Sequence, residues 1–173
     1  ISIMKKYCLD LNVKSEEHIN EKYVLLRLTS PEALPEMMPG QFVEVRVDGS
    51  QTTFLRRPIS INNVDRDSNE LHLLIACIGD GTRKLGQLKA GDSLNVMLPL
   101  GNGFTMPQSP ESKHLLVGGG VGVAPLLYLG YEIKKMGGVP CFLLGARSKK
   151  DLLLMEEFEK VGKVFVTTED GTE

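Results

Sequence analysis

A short apolar run, Lys113-His-Leu-Leu-Val117, stops at three consecutive glycines, and a fourth glycine follows at Gly122. Pro125 then opens a second apolar segment that runs through Tyr131. This order predicts a buried parallel strand, a tight loop and a helix. Glycine serves where a backbone must take positive φ or lie flat against a ligand. Pro125 suits a first helical turn, where its missing N–H costs nothing. A loop that feeds a helix N-terminus presents free N–H groups and the positive end of the helix dipole, so it favours a phosphate. The spacing departs from the dinucleotide fingerprint G-x-G-x-x-G, because Val123 stands where the third glycine belongs. A strand–helix turn that is merely tight is the other reading. Either way the cluster divides the chain, with β-like sequence before it and alternating β and α after it.

Before the glycines the pattern is one of short strands with Gly and Pro punctuation. Strands are expected over Lys6–Val13, Lys22–Thr29, Gln41–Val47, Phe54–Ile61, Glu70–Ile78 and Ser93–Leu98, with polar turns at Glu16–Asn20 and Asn62–Asn69. Phe42, Val43, Val45 and Val47 are core candidates. A short helix is expected over Thr82–Leu88, with Thr82 as its N-cap. That spacing means an antiparallel barrel or sandwich. After the glycines come a helix near Ala124–Met136, a strand Val139–Gly145, an amphipathic helix Lys149–Lys160 and a strand Gly162–Thr167. Such alternation implies a parallel, doubly wound sheet. The division is therefore a barrel domain over 1–109 and an α/β domain over 110–173. Three strands make a poor stand-alone parallel domain, so the chain is expected to be the front part of something longer.

Composition excludes several classes. A formal net charge of −2 gives no sign of nucleic acid or an anionic membrane as partner. No apolar run approaches the roughly 18 residues of a membrane span. Cys8, Cys77 and Cys141 are widely spaced within apolar runs and fit neither a metal site nor a disulfide framework. Buried free thiols in a reducing cytoplasm are the expectation.

Two features of the first half carry chemistry. Arg56-Arg57-Pro58-Ile59-Ser60 places a proline inside a strand, which marks an edge, a bulge or a ligand approach. The arginines beside it offer fork-shaped donors for an anion, and Ser60 adds a hydroxyl. The alternative is an edge strand with solvated arginines. Gly79-Asp-Gly-Thr82 opens a helix and is a second candidate phosphate cradle, or a plain turn with a threonine cap. A basic strand and one cradle in a barrel, with a second cradle on a parallel sheet, suit a protein that binds two phosphorylated ligands.

The segments Arg57-Pro-Ile-Ser60, Gly81-Thr82, Pro99-Leu-Gly-Asn-Gly-Phe104 and Gly118-Gly-Gly-Val-Gly-Val-Ala-Pro125 occur in the order and approximate spacing of the ferredoxin–NAD(P) reductase superfamily. Their particular forms look most like electron-transfer subunits of NAD-linked (type B) dihydroorotate dehydrogenases, over essentially the whole chain. The resemblance implies an FAD-binding barrel followed by a pyridine-nucleotide domain. It implies that Arg57, Pro58, Ile59 and Ser60 hold the flavin, with Arg57 on the pyrophosphate. Leu74, Ile75 and Ala76 would line the flavin site with backbone groups. Gly81 and Thr82 would take the pyrophosphate at a helix start. Gly118, Gly119, Gly120, Val121, Gly122, Ala124 and Pro125 would face NAD. Ile59 stands where many relatives carry a tyrosine, so Pro58 and Ile59 would supply apolar contact in place of ring stacking.

The resemblance also implies a [2Fe-2S] cluster in the intact protein, bound by four cysteines beyond Glu173, and none of the three cysteines here matches that motif. The implied partner is a separate catalytic subunit of FMN type, in a cytoplasmic heterotetramer, with no nucleic acid and no membrane. Electrons from dihydroorotate would pass through the cluster to FAD and on to NAD+, with no side chain required as acid or base. Three alternatives remain: another flavin-dependent NAD(P)H or ferredoxin reductase subunit, a nucleotide-binding regulator without catalysis, and an S-adenosylmethionine-type transferase, against which the β-rich first half counts.

Overall fold

The computed structural model describes residues 5–109 and 111–173. Position 110, inside the expected crossing between the two halves, lies outside the described residues.

Six antiparallel strands close a barrel in the order β1-β2-β5-β4-β3-β6. They are β1 (Tyr7–Asn20), β2 (Tyr23–Thr29), β3 (Phe42–Val45), β4 (Arg57–Asp65), β5 (Glu70–Ala76) and β6 (Ser93–Leu100). Closure removes the unpaired edges that an open sheet of short strands would expose. Alternate residues point inward, so Leu11, Val13, Leu26, Leu28, Val43, Val45, Ile61, Leu71, Leu73, Ile75, Val96 and Leu98 fill one core.

Several expected boundaries shift, each for a physical reason. The turn expected at Glu16–Asn20 is strand: β1 runs on, pairing β6 through Tyr7–Asn12 and β2 through Asn12–Asn20. Register shifts at Val13/Ser15 and His18/Asn20 bend it enough to serve both neighbours. Likewise β4 starts at Arg57 and continues to Asp65, so Asn62 to Asp65 are strand where a turn was expected, and Phe54 and Leu55 are exposed before it. Phe42 is not a core residue. It shares the outward parity with Glu44 and lies against Gly101, where a Cβ would come 2.9 Å from its ring.

The second half is a three-stranded parallel sheet, β7 (His114–Gly119), β8 (Pro140–Ala146) and β9 (Lys163–Thr168), in sequential order. Helices α2 (Ala124–Lys135) and α3 (Met155–Val161) connect the strands. Leu116, Phe142 and Leu144 point to one face and pack with Leu127, Ile133, Phe158 and Val161 from the helices. Phe142 and Phe158 meet edge to face, with ring centroids 4.9 Å apart. The single helix expected over Lys149–Lys160 is broken: a 3₁₀ turn at Lys149–Asp151 precedes α3, and Leu154 adopts φ 54°. Leu152, Leu153 and Leu154 cannot share one helical face, and the break lets Leu153 reach the core.

The two halves interlock. Leu25 and Leu74 point out of the barrel wall into the core beneath α2, while Tyr128 of α2 enters the barrel core. The Tyr128 hydroxyl donates to the Met37 carbonyl at 2.8 Å, and Asn62 Nδ2 donates to the Ala124 carbonyl at 2.9 Å. Asn62 is buried, and its Oδ1 has no hydrogen-bond partner among the described residues. No helix among the described residues is long and apolar enough to cross a membrane.

Candidate cofactor-binding clefts

Beside β4, a cleft of about 590 Å³ opens between the barrel and the start of α2. That lies within the usual 300–1,000 Å³ of small-molecule sites. It is lined by Arg57, Pro58, Ile59 and Ser60 of β4, Leu74 and Ala76 of β5, Gly81 and Thr82 of the helix that follows, and Val121, Gly122, Ala124 and Pro125 of the glycine-rich segment. Antiparallel pairing sets β4 beside β5, and the interlocked α2 brings the glycines to the same wall.

The local geometry sorts these residues by role. Pro58 and Ser60 face outward and are exposed, whereas the Ile59 side chain lies in the barrel core. Strand alternation therefore leaves the apolar side-chain surface of this strand to Pro58. Arg57 stands at the end of its strand, where its side chain runs past Gly81. A Cβ on Gly81 would meet Thr53 Cγ2 at 2.8 Å and Arg57 Cδ at 3.3 Å, so only glycine lets these chains approach so closely. Among the described residues Arg57 has no salt-bridge partner. Arg56 does something else: its guanidinium donates to the carbonyls of Glu44 and Asn95, both at 3.2 Å, and to Asn95 Oδ1. It braces β3 against β6 and is neither a solvated edge residue nor a cleft donor.

The short helix α1 spans Asp80–Leu85, with Gly79 as its N-cap. Thr82, expected to be that cap, sits at the third helical position. Its hydroxyl accepts from the Gly79 N–H and donates to the Gly79 carbonyl, both at 3.1 Å. A hydroxyl placed there satisfies a donor that the helix start leaves open, and glycine has none to offer. Asp80 also lines the cleft, where a carboxylate would repel an anion. Its two oxygens accept from Arg83 Nη1 and Thr52 Oγ1, each at 3.2 Å, which partly neutralises it.

A second cleft, about 680 Å³, lies at the carboxyl ends of the parallel strands. Open α/β sheets bind ligands at that end. Gly119 and Gly120 line it at the end of β7, Gly145 to Arg147 at the end of β8, and Thr167 to Glu169 at the end of β9. Lys22, Tyr23 and Ile78 close it from the barrel. Gly120 takes φ 53°, which a side chain would strain, and open space surrounds its missing Cβ.

Of the residues singled out by sequence, Ile75 and Gly118 line neither cleft. Ile75 is fully buried in the barrel, and Gly118 belongs to β7, where a Cβ would meet Leu126 at 2.7 Å. Sequence reasoning named Gly79 and Asp80 of the first cleft only as part of the Gly79–Thr82 cradle; it missed Thr53 and Ile78 there and everything but Gly119 and Gly120 in the second. The residues after β8 and β9 carried a usable signal, since strand ends in parallel sheets gather ligands. Lys22 and Tyr23 carried none.

Elsewhere, Glu70, His72 and Lys14 form a cluster on the barrel wall, with Lys14 Nζ 2.6 Å and His72 Nε2 3.0 Å from the Glu70 carboxylate. Burial opposes ionisation of Glu70, yet the hydrogen bonds from Lys14 and His72 hold its carboxyl below the usual range. Burial pushes His72 down, against the pull of Glu70. This cluster lines neither cleft. No group of three or more His, Cys, Asp or Glu able to hold a metal occurs among the described residues.

A family model for the oxidoreductase FAD-binding domain matches residues 9–104, the whole barrel but for Tyr7 and Cys8 at the start of β1. An electron transfer subunit of dihydroorotate dehydrogenase B (NAD(+)) from Bacillus pumilus is 42% identical over 135 residues, 77% of this chain and 52% of that protein. The corresponding subunit from Shouchella clausii is 37% identical over 162 residues, covering 92% and 62%. The chain thus spans between half and two thirds of the length of these relatives. An NADH-dependent reduced ferredoxin-NADP oxidoreductase superposes with a TM-score of 0.80 at 28% identity, covering 91% of this chain and 56% of the other. Phthalate dioxygenase reductase shares the fold at a TM-score of 0.79 and 22% identity, covering 95% and 52%.

Proposed function

The chain belongs to the oxidoreductase FAD-binding domain family, and from that premise we propose that it is the FAD- and NAD-binding part of the electron-transfer subunit of an NAD-linked dihydroorotate dehydrogenase. The single observation that carries the reading is the first cleft, where an arginine with no ion-pair partner among the described residues, a helix start and an outward proline–serine strand meet within a family-matched barrel.

The residues fit the cofactor that the family name implies. FAD needs a cation and N–H donors for its pyrophosphate and a flat, mostly apolar bed for its ring. Arg57 and the first turn of α1 serve the former. Pro58, Ala76, Ala124 and Pro125 serve the latter, with the Ser60 hydroxyl as a polar contact. Once bound, FAD supplies the hydride and single-electron chemistry. The chain's own residues bind it, orient it and cover it. Gly119 to Gly122 form a wall without bulky side chains except Val121, so a nucleotide in the second cleft can approach the first closely. No side chain in either cleft needs to act as acid or base.

A [2Fe-2S] cluster does not fit the described residues. Cys8 lies on β1, Cys77 follows β5 and Cys141 lies on β8, far apart in the fold. Under this reading the cluster is held by other parts of the complex, and dihydroorotate is oxidised on a separate FMN-type subunit, the two together forming a heterotetramer.

The test is a spectrum followed by an assay. Purified protein should be yellow, release FAD on denaturation, and reduce a dye with NADH without forming orotate. A folded protein that takes up no FAD sinks the reading, and orotate formation by the pure chain overturns the subunit assignment. Co-purification separates this reading from a subunit that serves ferredoxin, a possibility kept open by the 28%-identical reductase.

A further inference from the structure

One residue belongs to both clefts. Ile78 lines the first, with Gly79 and Val121, and the second, with Tyr23 and Gly119. Its backbone is pinned on either side. Cys77 N–H donates to the Lys22 carbonyl at 2.7 Å, Ile78 N–H donates to the Ala76 carbonyl at 2.9 Å, and Gly79 is held by the Thr82 hydroxyl. The side chain on this fixed backbone is 69% exposed, whereas Ile59, Ile61 and Ile75 of the same barrel are buried. A single exposed apolar residue is ordinary on a surface. An exposed β-branched side chain, rigidly presented at the seam of two ligand-sized clefts, has a place to be buried only when those clefts fill.

Building on the two-nucleotide reading, we propose that Ile78 is the shared apolar wall that couples the sites: the nucleotide that binds first covers one side of its side chain and fixes its rotamer, and the second then binds to a surface already ordered. Ordering an isoleucine side chain carries an entropic cost that the first nucleotide meets and the second does not, and the β-branch leaves a small set of rotamers to choose from, so the contact is well defined. Such coupling is reciprocal, so each nucleotide strengthens the other by the same factor. No other described residue lines both clefts, so the effect should concentrate at this position.

The experiment measures the FAD dissociation constant of the full-length protein by flavin fluorescence, with and without saturating NAD+. In the parent, NAD+ should tighten FAD about two- to fivefold, the factor that ordering one isoleucine side chain supplies. In Ile78→Ala the factor should fall to about one, and Ile78→Val should restore most of it, measures that a merely structural role would not move. The exposure of Ile78 means that these variants should melt like the parent, which a thermal scan verifies. Val139→Ala, equally exposed but at the opposite end of β8, should keep the parental factor. With both nucleotides bound, an unchanged factor in Ile78→Ala overturns the coupling alone. A folded parent that takes up only one of the two nucleotides, whatever the concentration of the other, overturns the functional reading and the coupling with it.

Discussion

The barrel and the parallel sheet bury apolar surface in different ways. The barrel is closed: each strand is paired on both sides, and inward residues from all six strands meet in one core. The sheet is open. Its helices cover one face, while Leu115, Val117 and Phe165 are exposed on the other. Its core also borrows Leu25 and Leu74 from the barrel wall. A closed barrel of short strands can be self-sufficient, whereas a three-stranded parallel sheet leans on its neighbour. The clefts follow the same division, one built on a barrel strand and the other on strand ends.

The sharpest way to break this comparison is to open a cavity in each core. Phe142→Ala removes a fully buried ring and its edge-to-face partner contact, at a cost of about 3–5 kcal/mol. Denaturant titration followed by far-ultraviolet circular dichroism should show helix loss before barrel loss. Leu73→Ala, at about 2–5 kcal/mol, should bring down both halves in one transition. A single coincident transition for both variants would mean that the two halves are one cooperative unit.

Next in size is Arg57, which tests whether the barrel alone anchors the flavin. A hydrogen bond to a charged group contributes roughly 1.5–3 kcal/mol, on the order of a 10- to 100-fold change in affinity. Arg57→Ala should weaken FAD by that factor, and Arg57→Lys should recover only part, since a point charge lacks the planar fork. Arg56→Ala should instead lower the melting temperature with little change in FAD affinity, because its guanidinium is committed to Glu44 and Asn95. Tight flavin binding by folded Arg57→Ala would remove the pyrophosphate role.

Tyr128→Phe probes the joint between the halves. It strips the donor from the buried Met37 carbonyl, at a cost of about 1 kcal/mol. The expected readout is faster amide exchange in α2 with the barrel strands unchanged. Uniform acceleration throughout would place the effect in the barrel core instead.

The smallest expected effect lies in the barrel wall, away from both clefts. Glu70 is held below its usual range when folded, so its contribution is present above the unfolded carboxyl pKa, about 4.3, and is lost as pH falls through the lower folded value. His72, also lowered when folded, acts in the same direction as pH falls through about 6.5. Glu70→Gln should cost about 1 kcal/mol or less at neutral pH, because Lys14 is half exposed, and should flatten the acid limb of a stability–pH curve. A limb as steep as the parent's would assign acid sensitivity to other carboxylates.

Local sequence determined what depends on neighbours in the chain. Strand periodicity marked the six barrel strands, and the glycines before Pro125 marked the strand-to-helix turn of the parallel sheet. It also pointed to Arg57, Pro58, Ser60, Gly81 and Gly122 as residues of a cleft, since their chemistry and spacing are local. Tertiary structure decided the rest. The polar segment Glu16–Asn20 is strand because β1 must reach two partners, which no local preference encodes. Arg56 and Arg57, identical side chains one residue apart, part company because only one finds carbonyls of β3 and β6 within reach. Ile78 gains its position from the docking of two units, and Lys22 and Tyr23 enter the second cleft only because the barrel closes there. Hydrophobic periodicity is written along the chain, whereas a cleft between units is set by long-range pairing and by interlocked cores that no short stretch specifies.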